Sequence, residues 1–219
     1  MIDRALSQVL AWLVIQFAKL VSGVRVTWDA ASAPRATPTL YFANHSSHGD
    51  FVLIWATLPA DLRASTRPVA AADYWGKAGF RGFVGRKVFR ALLIDRARAA
   101  GHDDPIEVMT QALTHGDSLI MFPEGTRNTG DEPLMPFKAG LYYIAKACPD
   151  VLLVPVWIEN LKRVLPKGTI IPVPLSCTVN YGAAMKLGEG EEKLAFLSRA
   201  AAAVLNLRPE HEQNAQESA

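Results

Sequence analysis

TLYFANHSSHGD, residues Thr39–Asp50, is the stretch that decides the fold of this 219-residue chain. Its first five residues predict a short buried strand, and the polar run that follows ends the strand. Similar runs occur at Val24–Trp28, Arg67–Ala72, Ala91–Ile94, Ser118–Phe122, Val151–Ile158 and Leu175–Val179. Helical stretches separate most of them, and this alternation predicts an α/β fold: a single domain with a mostly parallel central sheet flanked by helices.

Helical patterns fill much of the remaining chain. They are predicted at Phe51–Leu58, Pro105–His115, Lys138–Ala147 and Glu191–Leu207, with a glycine-punctuated helical stretch at Tyr74–Arg90. Asp103 or Asp104 is the expected cap of the helix that begins at Pro105. We therefore expect an N-terminal membrane-associating helix at 1–23, a globular domain at 24–207 and a disordered polar tail at 208–219.

Composition narrows the class of protein. Half of the residues are apolar and a fifth are charged, which excludes a disordered, collagen-like or coiled-coil chain. Two cysteines cannot form a disulfide framework or, alone, a four-ligand zinc site. A net charge of +2 does not indicate nucleic-acid binding, so no nucleic-acid partner is expected. The mean hydropathy of +0.11 is high for a freely soluble protein and points to a membrane surface.

The N-terminal segment is the most apolar part of the chain. Val9–Val21 is interrupted only by Gln16 and Lys19. A helix over Leu6–Val24 would be roughly 28 Å long, close to the thickness of a hydrocarbon core. The start lacks a basic region and a cleavage site, so we expect a retained helix that lies in one leaflet. A helix packed against the domain and a full membrane span remain alternatives.

The polar run NHSSHGD follows a predicted strand, where open α/β sheets bind ligands. His45 and Asp50 can meet if His45 lies in the turn and a helix begins between Ser46 and Gly49, capped by Ser46 or Ser47. Asp50 would then accept a hydrogen bond from one imidazole nitrogen and leave the other free as a base. These residues alone are equally compatible with a structural role.

A second polar turn, FPEGTRN at Phe122–Asn128, follows another predicted strand. Pro123 ends the strand, and Gly125 permits a backbone conformation closed to other residues. Glu124 and Arg127 are predicted to project from this turn. The Arg127 guanidinium suits two-point binding of a phosphate or carboxylate.

NHSSHGD together with FPEGTRN resembles the glycerolipid (1-acyl-sn-glycerol-3-phosphate) acyltransferase superfamily, which includes the lysophospholipid acyltransferases. Its NHxxxxD and FPEGTR motifs are both present, and two weaker motifs match LLIDR at Leu92–Arg96 and LLVPV at Leu152–Val156. Lys138, in PFKAG, also follows the third motif as in relatives. The resemblance covers about Thr39–Tyr181.

The resemblance implies transfer of a fatty acyl group from acyl-CoA or acyl carrier protein to the free hydroxyl of a lysolipid. The implied lysolipid is 1-acyl-sn-glycerol-3-phosphate, and the product would be phosphatidate. His45 would be the general base and Asp50 would orient it. The implied substrate-binding residues are Glu124, which would position the acceptor glycerol, Gly125, Thr126, Arg127, Arg96 and Lys138. No cofactor, metal or covalent acyl-enzyme is expected.

One departure from the family concerns the acceptor. Relatives that form phosphatidate often carry an Ala-Lys-x-Glu-like stretch after the first motif, but Ala70–Asp73 lacks the lysine. A different lysolipid acceptor is therefore the alternative substrate. A non-catalytic lipid- or acyl-CoA-binding protein and a metallohydrolase are the alternative functions, the second because His45, His48 and Asp50 form an HxxHxD pattern.

The segment Lys77–Arg98 carries seven basic residues against one acidic residue, interleaved with apolar ones. Such a segment suits an anionic lipid surface, the phosphates of coenzyme A or an acidic carrier protein. A solvated face over an ordinary core helix is the alternative. With the N-terminal helix, it predicts attachment to the cytoplasmic face of the cell inner membrane.

Overall fold

The computed structural model of the chain describes residues 2–29, 37–47, 49–76, 79–95, 104–161 and 176–209. Within these ranges a seven-stranded sheet carries helices on both faces, so the predicted α/β architecture is confirmed. The strands are β1 (Arg25–Trp28), β2 (Thr39–Ala43), β3 (Thr66–Ala71), β4 (Leu92–Ile94), β5 (Ser118–Met121), β6 (Leu152–Glu159) and β7 (Thr178–Tyr181).

The strand order is β1-β7-β6-β2-β5-β3-β4, and every neighbouring pair is parallel except β6 with β7. All five residues of β2 are buried, because β2 lies between β5 and β6. Leu40 pairs with Leu119 on one side and with Leu153 on the other. The carboxyl ends of β2, β5 and β6 therefore meet at one edge of the sheet, and so do the loops that follow them.

Helices cover the sheet because successive side chains of a strand point to opposite faces. The bounds are α1 (Ile2–Ser22), α2 (Asp50–Thr57), α3 (Ala60–Ser65), α4 (Ala72–Trp75), α5 (Phe80–Phe83), α6 (Pro105–Thr114), α7 (Gly140–Ala147) and α8 (Lys193–Leu205). Tyr41 and Ala43 face a core shared with α1 and α2. Leu40 and Phe42 face a second core shared with α6, α7 and α8.

Helix α1 has two apolar sides. Ile15 is 8% exposed and lies in the first core, so the packing interpretation of this helix is correct for one side. The opposite side exposes large apolar residues, namely Leu6, Val9, Trp12, Leu13, Phe17 and Leu20. Among the described helices, none is long and apolar enough to cross a membrane. The exposed side is the part of α1 that packing within the domain does not explain.

The stretch predicted as helical at Tyr74–Arg90 is divided into α4, α5 and a π-helical turn at Val84–Val88, with 77–78 outside the described residues. Gly85, within this π-helical turn, packs closely against Trp75: a side chain at Gly85 would meet the Trp75 ring at 3.0 Å. Arg90, at φ +51°, ends the segment. Helix α3 was not predicted, since its six residues follow directly from Pro59 and carry little periodic signal.

Two further predictions concern the cap of α6 and the C-terminal tail. Asp104 caps α6 by accepting a hydrogen bond from the Ile106 amide, as one of the two predicted caps. Arg208, the first residue of the predicted tail, lies over the Trp157 ring. The tail from 210 onward lies outside the described residues, and its predicted disorder stays a prediction.

Candidate active site

The loop between β2 and α2 brings His45 and Asp50 into contact. Nδ1 of His45 lies 2.8 Å from Oδ2 of Asp50, so the predicted contact between them is observed. The same carboxylate oxygen accepts hydrogen bonds from the amides of Ser46, at 2.6 Å, and Ser47, at 2.8 Å. Asp50 is fully buried, whereas the His45 ring is partly accessible and stacks on Phe122 with 4.1 Å between the ring centres.

The start of α2 differs from the prediction that Ser46 or Ser47 caps it. The helix begins at Asp50, Gly49 occupies the cap position, and no side chain caps it. The Ser47 hydroxyl instead accepts a hydrogen bond from the Gly49 amide. The Asp50 carboxylate turns back over the preceding loop and accepts hydrogen bonds from the amides of Ser46 and Ser47, which lie before the helix.

The Asp50 contact also defines the state of the imidazole. Since Asp50 accepts at Nδ1, the proton of a neutral His45 belongs on Nδ1 and Nε2 is the free acceptor. Within the described part of the chain, no protein group is hydrogen-bonded to this Nε2. A partly accessible ring with one nitrogen anchored and one free has the arrangement of a general base.

Glu124 does not project from the FPEGTRN turn, and that prediction is wrong. Its side chain is 1% exposed. Oε1 accepts a hydrogen bond from the His45 amide at 2.6 Å, and Oε2 accepts one from the Met135 amide at 2.9 Å. Burial raises the pKa of Glu124, and the two backbone donors act in the opposite direction. These amide bonds explain why a carboxylate is tolerated inside the loop.

Two asparagines that the sequence analysis did not single out also hold the loop. The backbone N–H of Asn128 donates to the backbone carbonyl of His45 at 2.6 Å. The Asn44 side chain donates to the carbonyl of Ile158 and accepts from its amide, at 3.0 Å and 2.8 Å. Asn44 begins the first motif and Asn128 ends the third, so position within the motifs was the available signal.

The FPEGTRN turn also carries positive charge. Gly125 has φ +72°, and a side chain there would come within 2.7 Å of the Lys138 ammonium. The Lys138 amide donates to the Pro123 carbonyl, which fixes this lysine beside the turn. Arg127 is half-buried, and Thr126 is exposed. Within the described residues, neither Arg127 nor Lys138 forms an ion pair. Both cationic side chains are therefore available to bind an anion.

Some predicted site residues cannot be placed. Arg96 lies outside the described residues, and so does His48 of the HxxHxD pattern. Within the described ranges there is no group of three His, Cys, Asp or Glu side chains arranged to hold a metal ion. The substrate-binding role of Arg96 therefore stays a prediction.

Two cavities adjoin the His–Asp pair. An apolar groove of about 360 Å³ lies between α1 and α2, and Gly49, which precedes Asp50, lines it. Its other walls include Leu13, Val14, Phe17, Val52 and Leu161. A more polar cleft of about 310 Å³ contains His45 itself, with Trp157 and Glu159 of β6. The two cavities share the loop between β2 and α2, which contributes His45 to the cleft and Gly49 to the groove.

Comparison with known proteins identifies the class to which this site belongs. The family model described as Acyltransferase matches residues 25–159, which is more than half of the chain. The chain therefore belongs to the acyltransferase family, and the resemblance drawn from its motifs is confirmed.

Particular relatives share one name. The chain is 30% identical over 155 residues to human 1-acyl-sn-glycerol-3-phosphate acyltransferase alpha, covering 68% of this chain and 50% of that protein. It is 30% identical over 132 residues to 1-acyl-sn-glycerol-3-phosphate acyltransferase of Salmonella typhimurium (59% and 50%). It is 28% identical over 144 residues to the protein of that name from Limnanthes alba (65% and 48%). The chain spans about half the length of these relatives.

A solved structure shares the fold. The crystal structure of the 1-acyl-sn-glycerophosphate (LPA) acyltransferase PlsC from Thermotoga maritima aligns with a TM-score of 0.67 at 19% identity. The alignment covers 92% of this chain and 79% of that chain. At this identity the likeness establishes the architecture, including the sheet that carries the two motifs.

Replacing the Asp50 carboxylate tests its part in the loop. We expect Asp50→Asn to lower the free energy of unfolding by about 2 kcal/mol, because hydrogen bonds to a charged acceptor contribute more than neutral ones. Urea unfolding followed by circular dichroism measures this change. Asp61→Asn is the matched control, since Asp61 is an exposed carboxylate in the first turn of α3. Equal losses in the two variants would contradict the assignment.

Proposed function

We propose that the chain is an O-acyltransferase that moves a fatty acyl group from a thioester donor to the free hydroxyl of a lysolipid. The observation that carries the proposal is the 2.8 Å contact between His45 and buried Asp50, which leaves Nε2 free at the rim of a cleft. Membership of the acyltransferase family supports the same chemistry. The donor is a thioester of coenzyme A or of acyl carrier protein.

The reaction follows from this geometry. Nε2 of His45 takes the proton of the acceptor hydroxyl while its oxygen attacks the thioester carbonyl, and the Asp50 carboxylate stabilises the imidazolium through Nδ1. The new C–O bond forms and the C–S bond breaks. The departing thiolate takes the proton from the imidazolium, so the products are an ester and a free thiol. A lipid-binding protein without activity would have no use for such a base.

For the acceptor we propose 1-acyl-sn-glycerol-3-phosphate, with phosphatidate as the product. The cationic side chains of Arg127 and Lys138 at the FPEGTRN turn support binding of a phosphate, and the names of the relatives support this acceptor. The absence of a lysine from Ala70–Asp73 favours a different lysolipid. Ala70 and Ala71 are buried in β3, so Asp73 is the exposed polar residue of that stretch.

The apolar groove between α1 and α2 suits an acyl chain. Its lining is nearly all apolar, and one end reaches Gly49 beside the His–Asp pair. Burying a methylene group contributes about 0.8 kcal/mol, so a chain of many carbons gains substantially from such a groove. An acyl chain held there would carry its reacting end toward His45.

For the location we propose the cytoplasmic face of the inner membrane, with α1 as the contact. The exposed apolar side of α1 supports this, and so do Arg86 and Lys87, which are exposed on the π-helical turn that packs beside α1. Apolar side chains flanked by cations suit the interface of an anionic bilayer.

The transfer reaction itself is the first test. Thiol release from a long-chain acyl-CoA, and transfer from acyl carrier protein, are measured with lysophosphatidate and with neutral and zwitterionic lysolipids. We expect turnover that is fastest with lysophosphatidate and that falls at least 100-fold in His45→Ala, because the general base is lost. His115→Ala is the control, an exposed histidine at the end of α6. Activity retained by His45→Ala would reject the mechanism, and inhibition by chelators would favour a metallohydrolase.

The contact between Gly125 and Lys138 gives a second test. We expect Gly125→Ala to raise the KM for lysophosphatidate several-fold, because the new methyl group would come within 2.7 Å of the Lys138 ammonium and displace it. Gly116→Ala is a matched control: Gly116 also has a positive φ, at +92°, but has open space around it. Both substitutions should cost about 1 kcal/mol of stability for the backbone conformation. An unchanged KM in Gly125→Ala would remove Lys138 from the acceptor site.

Vesicle binding tests the role of α1. Leu20 is 83% exposed, and we expect Leu20→Ser to weaken partition into vesicles of anionic phospholipid by about tenfold, since it removes most of one buried apolar side chain. Leu194→Ser is the control, because Leu194 is 75% exposed on α8, which lies over the opposite face of the sheet. Sedimentation with the vesicles measures both. Equal effects of the two substitutions would exclude α1 as the specific contact.

A further inference from the structure

We propose that Glu124 is a positioning residue that holds the backbone of His45, and that it does not bind the acceptor. The inference rests on the proposed acyl transfer for its kinetic test, but the contacts that carry it are within the chain. It replaces the role in placing the acceptor glycerol that the family resemblance implied for this residue.

Both carboxylate oxygens of Glu124 are already in use. One accepts from the His45 amide and the other from the Met135 amide, and the side chain is 1% exposed. Each oxygen could accept a second hydrogen bond, but the side chain is buried, so an acceptor hydroxyl could reach it only if the loop around it opened. Opening the loop would leave a buried backbone donor unpaired at a cost of about 1–3 kcal/mol, so the buried carboxylate is poorly placed to bind a ligand that must enter and leave.

The His45 backbone is held on both sides by the third motif. Its amide donates to Glu124 at 2.6 Å, and its carbonyl accepts from the Asn128 amide, also at 2.6 Å. The direction of the imidazole depends on this backbone, because the side chain leaves it at a single Cα–Cβ bond. Asp50 and Phe122 then fix the ring itself. Glu124 therefore fixes the position of the His45 imidazole before any substrate binds.

The second oxygen of Glu124 links the base to the cationic turn. Met135 lies in the loop that leads to Lys138, and the Lys138 amide in turn donates to Pro123, the residue before Glu124. One buried carboxylate thus joins the loop that carries the base to the loop that carries Lys138. A displacement of about 1 Å between reacting groups is sufficient to cost on the order of 100-fold in rate.

Glu124→Gln separates the two roles, because glutamine keeps the volume but turns an NH2 group toward one of the two amide donors. We expect kcat to fall at least tenfold and the KM for lysophosphatidate to rise by a smaller factor, because the link through Met135 to the Lys138 loop is weakened as well. Arg127→Ala, at a residue proposed to bind the acceptor, should show the reverse, with KM raised and kcat nearly retained. Glu189→Gln, at an exposed carboxylate outside the site, should change neither constant.

Three results would overturn the proposal. The first is a raised KM with kcat retained in Glu124→Gln, which would make Glu124 a ligand of the acceptor. The second is no change in either constant. The third is a loss of activity that only matches the loss of folded protein in thermal unfolding, which would make the role structural.

Hydrogen exchange gives a readout that needs no turnover. In a peptide covering 43–50, the His45 amide should exchange at least tenfold faster in Glu124→Gln than in the unsubstituted chain and in Glu189→Gln. If the unsubstituted chain transfers no acyl group, the proposed function fails, and the exchange rate alone then decides whether Glu124 holds the His45 amide. An unchanged exchange rate would overturn the positioning role.

Discussion

The parallel pairing of β2 with β5 is the constraint on which the site depends. It places the ends of two strands that are nearly 80 residues apart in sequence at the same edge of the sheet, so that the loop after β2 can bond to the loop after β5. The His45 amide and carbonyl then find their partners in Glu124 and Asn128. Without this register, the His45 imidazole and the FPEGTRN turn would have no fixed relative position.

Packing in the apolar core also fixes the position of α2. Asp50 is the first residue of α2, and the next turn of the helix buries Phe51 and Trp55. Both rings meet Phe89 edge to face, at 5.0 Å and 5.1 Å between ring centres. Such contacts add about 0.5–1.5 kcal/mol each beyond the burial of their area. The orientation of the His45–Asp50 pair is therefore maintained by hydrophobic packing one turn away from it.

Much of this arrangement could be predicted from the sequence. Buried parallel strands are continuous apolar runs, so β2, β5 and β6 were recognised within one or two residues, and the spacing of His45 and Asp50 suggested their contact. The burial of Glu124 could not be predicted, because its partners, His45 and Met135, lie 79 and 11 residues away. A glutamate in a turn ordinarily indicates exposure. The π-helical turn could not be predicted either, and the close approach of its Gly85 to Trp75 is a contact that no local pattern encodes.

The position of β1 has a consequence for how the chain is made. β1 follows α1 directly, yet its neighbour in the sheet is β7, and the side chains of Thr27 and Asn180 that bond across this pair are 153 residues apart. Ribosomal synthesis therefore releases α1 and β1 about 150 residues before β7, the strand that pairs with β1. For that interval the apolar side chains of α1 adjoin an unfinished sheet, so this helix stays exposed for longer than an element with local partners.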